Sequence, residues 1–425
     1  MSGSVWKVWL IPGGLLLALS AALVNSSLLS RVAPSLSFYY FAVFTAGMVL
    51  AWRFNSSRVL FSLLTLLLAH RAVEFFSAGN VHSGPGRTAV VLVALLIPVN
   101  YIALAWMRER GLTIGGIAPR FGMLFLQAVV VAVLCRPENS GAVTAAGSPA
   151  LPWWNLILFG AGMAVAVLQF FQTRKPVETG FFWSLIAVLL WLNFTPIGKV
   201  ADTYVATAGL ILVASLIETS YVLAYHDELT GILGRRAFNE ALLSLDQQYA
   251  IAIVDIDHFK QFNDTYGHDI GDQVLRMVAG RLGGVGGGGQ AFRCGGEEFA
   301  IIFRDTSAKD AFERLDALRK TIQDSRFRVR GAERRGMARS EASDRRKPGR
   351  RKLTRMVEQI PGELSVTVSV GVAEPSTRNR QPEQVINAAD QALYRAKHNG
   401  RNRVELASTT PLKVMRRKRA SGVSG

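Results

Sequence analysis

The chain has 425 residues, half of them apolar, and 48 Lys and Arg against 31 Asp and Glu give it a net charge of +17. That length accommodates two or three domains, and long uncharged apolar runs in its first half exclude a wholly soluble protein. A basic excess of this size would point to nucleic acid in a soluble chain, but here it sits in loops beside apolar runs and in one arginine-rich block, so no nucleic-acid polymer is expected as a partner. Cys135 and Cys294 lie in different halves and supply neither a disulfide framework nor metal-ligand spacing.

Eight apolar runs are candidates for membrane spans, near 8–24, 35–52, 59–76, 88–107, 121–135, 153–172, 180–196 and 203–224. Runs of this kind approach the roughly 20 residues a bilayer-crossing helix needs. The first, with Lys7 before it, also resembles a signal peptide, yet it lacks a small-residue cleavage site and further spans follow. An all-α polytopic membrane domain is therefore expected over 1–207, with the last span continuing as a helical coupler over 208–226. Eight spans put both termini on one side. That side carries Lys7, Arg53, Arg58, Arg108, Arg110, Arg120, Arg174 and Lys175, whereas the other has Arg31, Arg87, Arg136 and Lys199. The imbalance predicts a bacterial cytoplasmic (inner) membrane protein with both termini in the cytoplasm. Four ionisable residues stand out within the runs: His70, Arg71 and Glu74 toward the end of the third, and Glu218 in the eighth. Intramembrane charges mark functional sites unless they snorkel to the interface. No haem, quinone or sugar signature accompanies them.

Beyond Asp227 the chain reads as a charged, soluble domain extending to residue 407. An amphipathic helix is expected to end near Leu245, followed by a strand over Tyr249–Asp255. Two helical pieces between His258 and Leu282 are broken at Tyr266-Gly267-His268. A hairpin around Gly295-Gly296-Glu297-Glu298 comes next, then a helix over Ser307–Asp324, a strand over Leu364–Val372, a helix over Pro382–His398 and a short strand over Asn402–Leu406. Helices alternating with strands around an antiparallel hairpin imply an α/β sandwich of ferredoxin-like type. Within the hairpin, glycines let a ligand approach the backbone closely. Adjacent carboxylates would repel in an empty site and suit a divalent cation, a proton or a phosphate-bound metal. An ordinary hairpin with solvated acids is the plain alternative.

The flanking chain carries a resemblance. DELTGILGRR at 227–236, DIDHFKQFNDTYGHDIGD at 255–272, RCGGEEF at 293–299, SVGV at 369–372 and AADQALYRAKHNGRNRV at 388–404 occur in an order that is similar to GGDEF-family diguanylate cyclases, enzymes that make cyclic di-GMP from two GTP molecules. The resemblance implies a nucleotide-cyclase-like fold, GTP as substrate, a homodimer and two Mg²⁺ per active site, with Mn²⁺ as a substitute. By the same resemblance Asp255, Glu297 and the Ile256 carbonyl are metal ligands, and Glu298 orients or deprotonates the attacking 3′-hydroxyl. Asn263 and Asp272 read guanine, as their donor and acceptor sets allow. Lys260, the backbone at His258 and Phe259, and Lys397 with Arg401 take the β- and γ-phosphates. Gly295 and Gly296 line the substrate. Asp257 receives no metal role. Lys397 and Arg401 share a face only if the helix runs through Asn399-Gly400; cations at a helix C-terminus are the plain reading. A catalytically silent GTP-binding or scaffold module is the competing function.

Three departures from the family pattern stand out. Gly234 replaces a usual Asn. The positions of an Arg-x-x-Asp product-inhibition site are Gly286 and Gly289, so no product brake is expected there. A basic block over 328–358 and a basic tail over 408–425, with its charge at 413–419, are either solvated or drawn to anionic membrane lipid. Cys294 reads as an apolar filler in preference to a redox switch.

Overall fold

The computed structural model describes residues 9–138, 151–194, 196–246, 248–326, 364–376 and 379–407, without the side chains of 30 and 32–34. The chain divides into two compact units, Met1–Val222 and Leu223–Gly425. The basic block and the basic tail fall outside the described residues.

In the first unit the helices are α1 (Gly13–Val24), α2 (Leu28–Arg53), α3 (Ser57–Ser77), α4 (Gly84–Trp106), α5 (Ile114–Leu134), α6 (Trp153–Thr173), α7 (Pro176–Phe194) and α8 (Lys199–Tyr225). Seven of them, α2 to α8, are long and apolar enough to cross a membrane. The first expected span is different. Among the described residues its continuous helix is α1, with 12 residues, about 18 Å at 1.5 Å per residue against a hydrocarbon core of about 30 Å. Among the described residues seven helices, not eight, have the length to cross a membrane. The fifth span begins earlier than its apolar run, so Arg120, expected in a loop, lies buried inside α5. Its Nη1 donates to the Gly116 carbonyl at 2.6 Å and its Nη2 to the Arg108 carbonyl at 3.3 Å, which offsets part of the cost of burying a guanidinium.

Helices α4, α7 and α8 form the interior, with 67%, 61% and 72% of their span windows buried, whereas α5 and α6 at 17% and 22% turn apolar side chains such as Phe121, Phe125, Ile157 and Phe171 outward. An apolar exterior of this kind suits lipid. Some buried polar groups are paired across helices. Arg58 makes a two-pronged bond to Glu178 at 2.9 and 3.0 Å. In the α4–α5 loop, Glu109 accepts from the Ser57 and Arg58 N–H groups at the start of α3, from the Ser57 hydroxyl, and from the Gly111 N–H. A carboxylate at a helix N-terminus is favourable. Burial pushes the Glu109 carboxyl up, but these hydrogen bonds and Arg120 outweigh it and hold the group below its ordinary range.

The second unit contains a six-stranded sheet in the order β1-β3-β4-β2-β5-β6. Its strands are β1 (Leu233–Gly234), β2 (Tyr249–Ile256), β3 (Gly289–Arg293), β4 (Glu298–Arg304), β5 (Val368–Ala373) and β6 (Val404–Leu406). The helices are α9 (Arg235–Leu243), α10 (Phe259–Tyr266), α11 (His268–Leu282), α12 (Ala308–Gln323) and α13 (Pro382–His398). The four inner strands are mutually antiparallel, and the connections β2-α10-α11-β3-β4-α12-β5 give the ferredoxin-like pattern expected. The soluble half is thus α/β and nucleotide-cyclase-like. Strand β5 begins at Val368, later than expected, although the Asp257 N–H still reaches the Thr367 carbonyl at 2.9 Å beyond the end of β2.

Period-two alternation explains how β2 is covered on both faces. Ala250, Ala252, Val254 and Ile256 pack with Val274, Val278 and Leu315 in one core. Tyr249 and Ile251 pack with Phe238, Val385 and Ala389 in the other. Ile253 packs against the same cluster, and the odd position after it is Asp255, so its carboxylate belongs to the α13 face.

Candidate active site

The end of β2 holds Asp255 beside Glu298, its register partner at the first residue of β4. Asp255 is 4% exposed and its Oδ1 accepts from Lys397 Nζ of α13 at 2.8 Å. Burial pushes the Asp255 carboxyl up, Lys397 opposes this, and the neighbouring Glu298 and Asp257 charges add to the rise. Glu297, at the hairpin turn, is raised first by burial, then by Asp255, with Lys397 opposing and Glu298 adding. Asp390 on α13 is raised by burial and by Glu298. Four carboxyls therefore crowd one place, with Lys397 bonded to one of them. Such a donor set fits a hard divalent cation, which takes one or two carboxylates and completes its shell with phosphate and water oxygens. Asp255, Glu297 and the Ile256 carbonyl at the last residue of β2 are the residues that would hold it.

Asp257 is committed elsewhere. Its oxygens accept from the Thr367 and Ser369 hydroxyls, both at 2.7 Å, and from the Asn402 N–H at 3.1 Å. These bonds tie the end of β2 to β5 and to the turn before β6, and they agree with its exclusion from the ligand set. His258 then takes a left-handed φ of 56° and starts α10, bringing the His258 and Phe259 backbone next to the strand end, with Lys260 exposed in the first turn of that helix.

Across the break at Gly267, Asn263 on α10 approaches Gly271, the residue before Asp272 on α11. The Asn263 Oδ1 is buried and has no hydrogen-bond partner. It lies where a Cβ on Gly271 would come within 1.8 Å, so the residue before Asp272 must be glycine for this amide to sit there. A buried acceptor without a donor is costly.

The hairpin itself is held by a residue not singled out from the sequence. Arg293 donates from Nε to the Gly295 carbonyl at 3.2 Å, from Nη2 to the Gly296 carbonyl at 2.7 Å and from Nη1 to Asp227 Oδ1 at 2.8 Å. Asp227 also accepts from the Thr230 N–H and hydroxyl. Burial would raise its carboxyl, but the Thr230 and Arg293 bonds prevail and hold it low. Thus the DELT opening and the GGEE turn, 66 residues apart in sequence, form one rigid unit. Their signal was present, because both motifs were noted, but neither alone shows the pairing. Cys294, between them, is raised to about 12 by burial first, so it stays a protonated thiol and fits the role of apolar filler.

One expectation is corrected. Helix α13 ends at His398, and Gly400 and Arg401 have φ of 110° and 60°. The Arg401 N–H folds back onto the Ala396 carbonyl at 3.0 Å. Lys397 and Arg401 are therefore not on one continuous helical face; the turn through Asn399-Gly400 breaks it.

Comparison with known proteins agrees with this geometry. A family model described as "Diguanylate cyclase, GGDEF domain" matches residues 224–338 and 335–403. The response regulator PleD of Caulobacter vibrioides is 35% identical over 196 residues, covering 44% of this chain and 37% of that protein. The diguanylate cyclase VdcA of Vibrio cholerae is 36% identical over 185 residues, covering 43% and 46%. The chain spans less than half the length of these curated relatives. Among solved structures, the GGDEF domain of DgcB from Caulobacter crescentus in complex with c-di-GMP is 32% identical, with 44% of this chain and 94% of that one covered and a TM-score of 0.35. With the matched motifs converging on one strand end and one hairpin, residues 224–403 of this chain match the GGDEF domain of diguanylate cyclases.

Proposed function

We propose that this protein is a membrane-anchored diguanylate cyclase that condenses two GTP molecules to cyclic di-GMP and pyrophosphate as a homodimer. The observation that carries the reading is the Asp255–Glu297–Glu298 carboxylate group with Lys397 bonded to its buried member. A metal-free active site in a silent module would have no reason to keep this crowding. Asp255, Glu297 and the Ile256 carbonyl hold Mg²⁺, or Mn²⁺ in its place. A bound ion there would offset charge on the triphosphate oxygens.

The chain's own groups do the rest. Asn263 and Asp272 hold the guanine edge, and adenine is rejected because it would leave their buried polar atoms unpaired. Lys260, Lys397, Arg401 and the backbone N–H groups at His258 and Phe259 hold the β- and γ-phosphates, with Gly295 and Gly296 giving close access at the turn. Glu298 takes the proton from the 3′-hydroxyl of one GTP as that oxygen bonds to the α-phosphorus of the other. The bond from α-phosphorus to the β-phosphate bridging oxygen breaks, and pyrophosphate leaves. Each domain presents one GTP, so two must face each other, and misalignment of about 1 Å is costly in rate.

The membrane half anchors the enzyme in the bacterial cytoplasmic membrane. Arg53 ends α2, and the α4–α5 and α6–α7 connections contain Arg108, Arg110, Arg174 and Lys175; the α2–α3, α4–α5 and α6–α7 connections lie on one side. The C-terminal end of α8 shares their side by alternation of seven spans, which supports a cytoplasmic catalytic half. Whether the basic stretches at 328–358 and 413–419 meet anionic lipid belongs to the same proposal.

The test is to incubate the detergent-purified full chain with GTP and Mg²⁺ and to measure cyclic di-GMP and dimer mass, beside Glu297→Ala and Glu298→Gln. Product from the wild type, and a loss of about 100-fold or more for Glu298→Gln as expected for a general base, supports the reading. GTP binding without product from a folded dimer, and without product from residues 226–425 fused to a dimeric coiled coil, would leave the silent module instead.

A further inference from the structure

His70, Glu74 and Asp202 gather at one end of the membrane unit, far along the chain from the cyclase site. His70 and Glu74 are four apart on α3 and so share a face, and Asp202 comes from the first turn of α8. One ligand atom from each lies within 4.8 Å of the others. His70 is 1% exposed, and its Nε2 has no hydrogen-bond partner although Asp202 Oδ1 is only 3.2 Å away. The other ring nitrogen is 3.2 Å from the Tyr40 hydroxyl of α2, which fixes the ring as outer partners of metal-binding histidines do. Arg71 Nη1 bonds Glu74 at 2.7 Å and also lies over the Tyr40 and Phe41 rings, at 5.6 and 5.3 Å.

We propose that His70, Glu74 and Asp202 form a binding site for a first-row divalent cation of the Zn²⁺ class, with an open position for water. Zinc accepts imidazole nitrogen and carboxylate oxygen at about 2.0–2.2 Å, which places tetrahedral ligand atoms about 3.3 Å apart. The separation of Nε2 from Asp202 Oδ1 already has that length without being a hydrogen bond. Nitrogen plus two carboxylates suits zinc, manganese or iron better than a thiolate-seeking ion, and it would take magnesium poorly because of the imidazole. Glu74 reaches the ion by exchanging its bond to Arg71, whose guanidinium keeps its seat on the two rings. The site joins α2, α3 and α8, and α8 is the helix that ends at Tyr225 before the cyclase half. The plain alternative is a buried imidazolium neutralised by two carboxylates, which would bind no metal.

The full chain, purified in detergent and stripped with a chelator, is titrated with ZnCl₂ and, separately, with CoCl₂. Because the cyclase carboxylates also bind divalent ions, the readout is the difference between wild type and variants that leave them untouched. His70→Gln and Asp202→Asn should each lower the bound zinc by one ion per chain or weaken that ion by about 100-fold or more, beyond the 10- to 100-fold seen for outer partners. Both should also remove part of the visible cobalt absorption. If either variant fails to elute as a folded species, Glu74→Gln, at a half-exposed position, takes its place. Equal zinc stoichiometry, affinity and cobalt spectra in wild type and variants would overturn the site and leave the charge-compensated cluster. Since binding is read directly, this outcome is separable from any failure of the cyclase assay.

Discussion

Asn263 and Gly271 show how one missing side chain makes room for a base-reading group. A Cβ at Gly271 would collide with the amide oxygen of Asn263, and the amide is the movable partner. Gly271→Ala should therefore fold as well as the wild type, helped by the better helix propensity of alanine, yet turn Asn263 away. GTP affinity is expected to fall about 10- to 100-fold, the ~1–3 kcal/mol typical of a displaced polar contact, with discrimination against ATP reduced in parallel; nucleotide titrations against both bases check this. The raised carboxyls of Asp255 and Glu297 give a second expectation. A carboxyl whose folded value lies above its ordinary one contributes stability in the acid range, and that contribution is lost as pH rises through the raised value. At the site the same protons compete with a divalent ion. The Mg²⁺ concentration for half-maximal cyclase activity should thus climb steeply as pH falls from about 7 toward about 5, earlier than ordinary carboxylates near 4 would require.

At the scale of elements, α8 has 27 residues, about 40 Å at 1.5 Å each, against a hydrocarbon core of about 30 Å. Roughly two turns are surplus, and the helix continues to Tyr225 across the division between the units. If that helix transmits alignment, phase matters more than length. Two alanines inserted between Tyr221 and Val222 rotate the chain beyond them by about 200°, whereas seven residues return it to within about 20°. Activity of the two-residue insertion is expected to fall at least tenfold and that of the seven-residue insertion to recover; cyclic di-GMP synthesis by the two variants, with dimer mass as control, is the measurement. Elements of this kind were readable because period 3.6 and long apolar runs are local signals. The break at Gly267, the α12 and α13 boundaries and the hairpin follow from turn chemistry within a few residues. Polar residues inside the membrane helices were harder. Arg120 and Glu178 vanish into a window average, and their partners Gly116 and Arg58 are known only once the helices pack. The α13 end at His398 was legible, but that Arg401 folds back on Ala396 after Gly400 is not something spacing alone shows.

For the whole molecule, the family motifs located the site, and their order along the chain left its assembly open. Asp227 and Arg293 lie 66 residues apart and are brought together where β1 pairs with β3. Gly286 and Gly289 present no guanidinium or carboxylate, so cyclic di-GMP at micromolar concentration should leave the rate unchanged; a progress curve run with added product, and found to slow, would contradict this. The bond from Lys397 to Asp255 carries a further consequence. In the nucleotide-free chain the buried carboxylate already has a resident cation, supplied by α13. A bare divalent ion must displace that ammonium with nothing else to receive it, whereas a triphosphate offers Lys397 new oxygens as it leaves Asp255. Under the proposed reading this imposes an order of assembly, in which nucleotide and ion enter together and free magnesium alone finds its seat taken.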